Sequence, residues 1–200
     1  MKVVSFLINF LLLLSFCACS QPQLKDGDIL FQSSTSSQSK AIEIATNSPY
    51  SHCGILFYEN GQAYVYEAVQ PVGKRKLEDW IASGLGGKYE VKRLKDASKL
   101  TPENIKAMKQ FAASQFGKNY DGYFNWSDKE LYCSELVWKV YSEKLGIKLA
   151  KPLPLRDFNI DAIEVRRIME KRYGNQIPYD EPMVAPSQLY ESNLLITPTE

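Results

Sequence analysis

At 200 residues, with 44% hydrophobic and 24% charged positions, the chain has the make-up of one well-cored globular domain. Its 24 Lys and Arg are set against 23 Asp and Glu, and no basic stripe interleaved with aromatics stands out, which argues against a nucleic-acid partner recruited by bulk charge. The four cysteines are too few for a disulfide framework. Cys17 and Cys19 lie at the N-terminus, and Cys53 and Cys133 can make at most one bridge in an oxidising compartment.

Lys2 is followed by an apolar run over residues 3–16 and then by Cys17-Ala18-Cys19-Ser20. One basic residue, a short apolar core and small residues before a cysteine describe a secretory signal, too short for a transmembrane span. The pattern is similar to a bacterial lipoprotein signal, although Phe16 stands where such signals usually carry Leu. On that resemblance, residues 1–18 are a signal peptide, Cys19 is lipidated, 19–25 form a tether and 26–200 form the catalytic domain. The expected location is the cell envelope, held to a bacterial membrane by the lipid, or secreted or periplasmic without it.

Gly27-Asp28-Ile29-Leu30-Phe31-Gln32 has the apolar, partly β-branched look of a buried strand. The Ser-rich stretch 33–39 reads as a loop capping a helix through Ala41, Ile42 and Ala45. Two strand-like runs, 51–58 and 63–69, flank Glu59-Asn60-Gly61-Gln62, and Asn-Gly is the strongest short hairpin signal. With Asn60 and Gly61 as the loop, Gly54 faces Glu67 and His52 faces Val69. Side chains alternate along strands, so His52 and Glu67 fall on one face as diagonal neighbours about 7–8 Å apart, and Cys53 points to the other. Gly54 leaves the carboxylate room to lean toward the imidazole.

Leu77, Trp80 and Ile81 predict a short helix stopped by Gly84, before a strand over 89–94. Thr101-Pro102-Glu103 predicts a helix start, with an apolar stripe at Ile105, Met108, Phe111, Ala112 and Phe116 and an end at Gly117. The polar run 125–130 then yields to an amphipathic helix from Cys133, with Leu136, Val137, Val140, Tyr141 and Leu145 inward and Gly146 as its stop. A helix through Ile160, Ile163 and Ile168 and a turn of helix near 187–190 complete the elements.

Cys133 at a helix start sits where unpaired amides and the positive end of the macrodipole favour a thiolate. His52 is the single histidine, so any imidazole base for that thiolate is His52. Cysteine–histidine chemistry also needs a third polar group on the far ring nitrogen, and Glu67 is placed for that. Position alone leaves each residue a structural alternative: Cys133 as a small core residue, His52 as a satisfied strand polar group, Glu67 as the partner of a surface lysine. One His beside one of two usable Cys lacks the spacing of a zinc site.

Four blocks taken together, 27–32, 48–55, 64–68 and 132–137, resemble the permuted papain-like amidase family, the YiiX-like branch of the NlpC superfamily of cysteine peptidases. The resemblance runs from about Leu24 to about Leu195. It implies an α+β, papain-like fold in which a helix bearing the cysteine packs on an antiparallel sheet bearing the histidine, with histidine before cysteine in sequence. It further implies Cys133 as nucleophile, His52 as base and Glu67 as orienting acid, with no metal or organic cofactor. Cys53 stands where the branch commonly has an apolar residue and is read as core. The expected reaction is hydrolysis of an amide bond in a cell-wall peptide or amino-acid amide, the Cys133 backbone N–H serving the oxyanion. The alternatives are lipid acyl transfer or thioester hydrolysis, which needs an apolar tunnel beside Cys133, and a non-catalytic cell-wall-binding lipoprotein.

Overall fold

The computed structural model describes residues 23–199, so the predicted signal peptide and Cys19 lie outside the described residues. Asn60 and Gly61 both take positive φ, 49° and 83°. They join β2 (His52–Glu59) to β3 (Gln62–Glu67) through a two-residue turn, the geometry whose twist matches the strands it connects. Glu59 pairs with Gln62 and Ile55 with Tyr66, which is the predicted register. β1 (Ile29–Gln32) lies on the other side of β2, with β5 (Glu90–Leu94) beyond it. Two further strands, β4 (Gly73–Lys76) and β8 (Leu195–Ile196), complete the six-stranded antiparallel order β4-β3-β2-β1-β5-β8.

Both faces of this sheet are covered, which is why its central strands read as continuous apolar runs. Ile29, Phe31, Cys53, Ile55 and Phe57 face α4 (Cys133–Leu145), whose Leu136, Val137, Val140 and Tyr141 complete one core. Leu30, Leu56 and Val65 pack on the opposite face with Trp80 of α2 (Leu77–Ser83). Gly146 ends α4 in the left-handed conformation at φ 67°, as predicted. α3 (Pro102–Ser114) starts at Thr101, whose hydroxyl accepts the Asn104 N–H. It closes at Gln115 rather than at Gly117, whose φ of 85° belongs to the turn that follows.

Ser36 caps α1 (Ser37–Thr46) by accepting the Ser39 N–H at 3.0 Å, so the Ser-rich stretch is a helix cap. α5 (Ile163–Tyr173) packs Val165 and Met169 over Ala41 of α1, and Ile160, predicted inside this helix, precedes it within the same small cluster. β6 (Leu153–Pro154) and β7 (Pro182–Met183) form a short ribbon before α6 (Pro186–Tyr190). At the sheet edge Arg93 grips the fully buried Asp28 carboxylate through Nε and Nη2, both at 2.7 Å. The same guanidinium donates to the Gln23 carbonyl, so the last residues of the predicted tether lie against β5.

Gly54 sits under the catalytically interesting end of the hairpin. A Cβ there would lie 2.5 Å from Val65 Cγ1 and 2.9 Å from the Tyr66 carbonyl, with Glu67 Cβ at 3.4 Å. Gly54→Ala is therefore expected to cost about 1–3 kcal/mol of stability by overpacking and to displace Glu67. Thermal unfolding reads this as a lowered Tm, and an unchanged Tm would show that the strands give way freely.

Candidate active site

The sheet brings the single imidazole to the place where α4 begins. His52 opens β2 opposite Gln32 at the end of β1. Its Nε2 is 2.6 Å from Glu67 Oε2, and the Glu67 side chain is 2% exposed. The same carboxylate oxygen accepts the Trp80 indole N–H at 3.0 Å, and Arg75 Nε stands 3.2 Å from the other oxygen. A buried anion is tolerable only with such partners. Nδ1 is thereby left free for the Cys133 sulfur, and the two groups are near enough to shift each other's titration.

Cys133 is the first residue of α4 and 3% exposed. Around it, Ser134 Oγ donates to the Val184 carbonyl at 2.7 Å and the Tyr132 hydroxyl accepts the Val184 N–H at 3.2 Å, which pins the helix start. Its own N–H is one of the amides that a helix start leaves without an intrahelical partner. His52, Glu67 and Trp80 belong to the α2 side of the sheet, whereas α4 packs on the Cys53 side. The sulfur meets His52 because His52 stands at the very beginning of β2. The Cys53 thiol, buried as predicted, lies in the same core cluster as Cys133 and acts on its thiol as well.

These contacts set the charge states. The hydrogen bond from Cys53 is the largest influence holding the Cys133 thiol well below its ordinary value of 9.0. Burial opposes it, and the bond and charge of His52 reinforce it. For His52 burial is the largest influence and disfavours the imidazolium, but hydrogen bonds and charges from Cys133 and Glu67 together prevail and push the pKa up to about 10. Burial pushes the Cys53 thiol up, and the neighbouring Cys133 adds to it. Both shifts favour a Cys133 thiolate beside a His52 imidazolium, with Cys53 kept a neutral donor.

Tyr120 adds a second donor. A bridge to Leu131 ties its backbone close to Cys133 in sequence and space. Its hydroxyl accepts from Gln38 Nε2 at 2.9 Å, and Gln38 Oε1 in turn accepts from Arg172 at 3.0 Å. No acceptor for the hydroxyl hydrogen occurs among the described residues, and burial keeps the phenol protonated. Two spaces meet at this point. A small apolar cavity of about 90 Å³ has Cys133 in its wall, with Ala41, Ile42, Phe124, Leu155, Ile168 and Met169. A polar cleft of about 640 Å³ is lined by His52, Glu67, Gln32, Ser39, Arg75 and Tyr120.

With this geometry in hand, comparison with known proteins is informative. Residues 23–197 match the family model described as "Permuted papain-like amidase enzyme, YaeF/YiiX, C92 family". The chain belongs to this permuted papain-like amidase family. Among its relatives, "Uncharacterized protein YiiX" of Escherichia coli (strain K12) is 44% identical over 177 residues, 88% of this chain and 86% of YiiX. The crystal structure of YiiX from Escherichia coli O157:H7, described as that of a metalloprotein, superposes with a TM-score of 0.83 at 44% identity, covering 88% of this chain and 96% of that one. The α+β fold with a permuted papain-like arrangement is thereby established, and membership places the chain in the cysteine amidase and peptidase class.

Of the residues singled out in the sequence, the fold brings Cys133, His52 and Glu67 together, with Cys53 in the same core cluster as Cys133. Four others escaped sequence reasoning. Arg75 was hidden because β4 was not predicted; Val65 faces Arg75 across that ladder, so Arg75 reaches Glu67 as a diagonal neighbour, as His52 does from β2. Trp80 registered only as a helix-core residue. Tyr120 and Gln38 carry no periodic signal, and only the tertiary fold joins them.

Proposed function

We propose that the protein is a cysteine amidase in which Cys133 is the nucleophile, His52 the acid and base, and Glu67 the residue that orients the imidazole. The pairing of one thiol with one imidazole whose far nitrogen is held by a buried carboxylate carries this reading. The Cys133 thiolate attacks the amide carbonyl carbon. The tetrahedral oxyanion receives hydrogen bonds from the Cys133 backbone N–H and the Tyr120 hydroxyl. On collapse the C–N bond breaks, the electron pair stays on nitrogen, and His52 gives its proton to the departing amine. Neutral His52 then takes a proton from water, hydroxide attacks the thioester, and the acid leaves as the thiolate reforms. Tyr120→Phe is expected to lower kcat about a hundred- to a thousand-fold with little change in KM, as loss of one oxyanion donor does. Equal losses in both constants would assign Tyr120 to substrate binding instead.

The two spaces support an orientation for the substrate. The amine must leave on the side of the proton donor, and His52 lines the polar cleft. The acyl carbon stays on Cys133, which lines the apolar cavity. A cell-wall peptide or amino-acid amide fits the cleft side. The cavity favours a second reading in which the acyl group is apolar, so that lipid acyl transfer or thioester hydrolysis would use the same residues. The metalloprotein description of the YiiX structure does not carry over. No group of three or more His, Cys, Asp or Glu able to hold an ion occurs among the described residues, and the Glu67 oxygens are taken up by His52, Trp80 and Arg75. Within the same proposal residues 1–18 are a signal peptide and Cys19 anchors the protein in the cell envelope.

The deciding experiment incubates the protein with muropeptides, aminoacyl amides, N-acyl amides of graded chain length and labelled phospholipid, read by mass spectrometry. Amine release that requires Cys133 supports the amidase reading. A gain with acyl chain length supports the apolar acyl site, and acyl transfer or ester cleavage without amine release overturns amide hydrolysis in favour of lipid chemistry.

A further inference from the structure

Cys53 makes and breaks no bond in the hydrolysis described above, although it tunes the Cys133 thiol, and it occupies a particular place. It lies in the centre of the sheet on β2, 0% exposed, on the side that faces α4. Its neighbour across the sheet is Phe31 of β1. It shares one buried core cluster with Cys133 and is near enough to be the largest influence on that thiol, and both thiols are free. The two sulfurs differ in access. Cys133 forms part of the wall of the apolar cavity, whereas Cys53 is not among the residues lining that cavity or the polar cleft. A small neutral oxidant arriving through the apolar cavity meets Cys133 and not Cys53.

We propose that Cys133 and Cys53 form a dithiol site for hydrogen peroxide, in which Cys133 is oxidised and Cys53 resolves it as an intramolecular disulfide. In the first step the Cys133 thiolate attacks one peroxide oxygen and the O–O bond breaks. Cys133 becomes a sulfenic acid, and hydroxide takes the proton from solvent to leave as water. In the second step the Cys53 sulfur attacks the Cys133 sulfur. The S–O bond breaks, the Cys53 proton leaves with the hydroxyl as a second water, and peroxide has been reduced by two electrons at the expense of two thiols. A bridge between these positions needs Cα atoms about 4.4–6.8 Å apart, so the linked pair forms only if β2 and the start of α4 approach that closely. The bridge removes the nucleophile while protecting it from irreversible oxidation, and a thiol reductant restores it.

The thiolate is checked first. Rapid alkylation of Cys133 by iodoacetamide at neutral pH reports it, so a failure below concerns the disulfide alone. The full-length protein is then treated with a small excess of hydrogen peroxide and digested without reduction. The expected product is a linked pair of peptides carrying Cys53 and Cys133, lost on adding dithiothreitol as alkylation of Cys133 returns to its starting rate. In Cys53→Ala the same treatment should leave Cys133 as a sulfenic acid trapped by dimedone, and then as sulfinic acid that dithiothreitol does not reverse. Cys53→Val, which refills the core volume, should behave like Cys53→Ala. Wild-type protein that accumulates Cys133 sulfinic acid at the rate of the variants, with no linked pair, would overturn the proposal.

Discussion

Replacing Cys133 with alanine is expected to lower amide hydrolysis by at least about a thousand-fold, and His52→Ala should do the same. Cys133 supplies the bond-forming electron pair, and Tyr120 has no comparable nucleophilicity as a protonated phenol. His52 supplies the only imidazole in the chain, so the proton for the leaving amine has no second side-chain source of that kind. The two residues act as a unit, and the double variant should be no slower than the worse of the singles. Both proteins should fold, because Cys133→Ala exchanges one small buried side chain for another. Initial rates of amine release, beside thermal unfolding, check the prediction. Full activity in either variant would remove that residue from the mechanism.

Glu67→Ala should have the second largest effect, and on two quantities at once. The carboxylate is 2% exposed and binds three groups, His52, Trp80 and Arg75. Deleting it leaves the indole N–H without its acceptor and two cationic groups facing each other, a loss of about 3–5 kcal/mol by analogy with broken buried ion pairs. It also frees the imidazole to rotate away from the sulfur. A large fall in Tm should therefore accompany a fall in kcat. Glu67→Gln separates the two roles. Its carbonyl oxygen can still accept from Trp80 and its size preserves packing, so stability should largely return while kcat stays low for want of the negative charge beside His52. Full recovery of kcat in Glu67→Gln would mean that the residue acts only by filling space.

The hairpin register was the most informative feature of the sequence, because Asn60-Gly61 admits few alternatives and one register places every side chain on a face. From it the proximity of His52 and Glu67 and the role of Gly54 could be read before any coordinates, and Ile55 opposite Tyr66 bears out that register. The ends of α4 were also legible, from Cys133 to the left-handed Gly146. The edge strands were not. β4 is Gly-Lys-Arg-Lys, with charges that protect a sheet edge and no apolar alternation, and β8 is two residues long. Missing β4 concealed Arg75. The face on which α4 would pack was equally illegible, because both sheet faces are apolar, and the closeness of Cys53 to Cys133 followed from that choice. Tyr120, Gln38 and the cavity between α1 and α5 depend on how distant segments meet, and local pattern carries no trace of such meetings.

In the proposed mechanism Cys133 is held as a thiolate by its neighbours, His52 among them. The rate of carboxamidomethylation at Cys133, followed by peptide mapping across pH in wild type and His52→Ala, tests it most directly. In the wild type the reactive form should persist down to a pH well below the ordinary thiol value of 9.0, since the thiol's pKa in the fold is lowered. The paired imidazolium should be lost only near pH 10. His52→Ala removes the imidazole's hydrogen bond and charge and leaves burial opposed by Cys53, so the inflection should move up toward 9 and the neutral-pH rate should fall. Superimposable profiles, both inflecting near 9, would contradict the account.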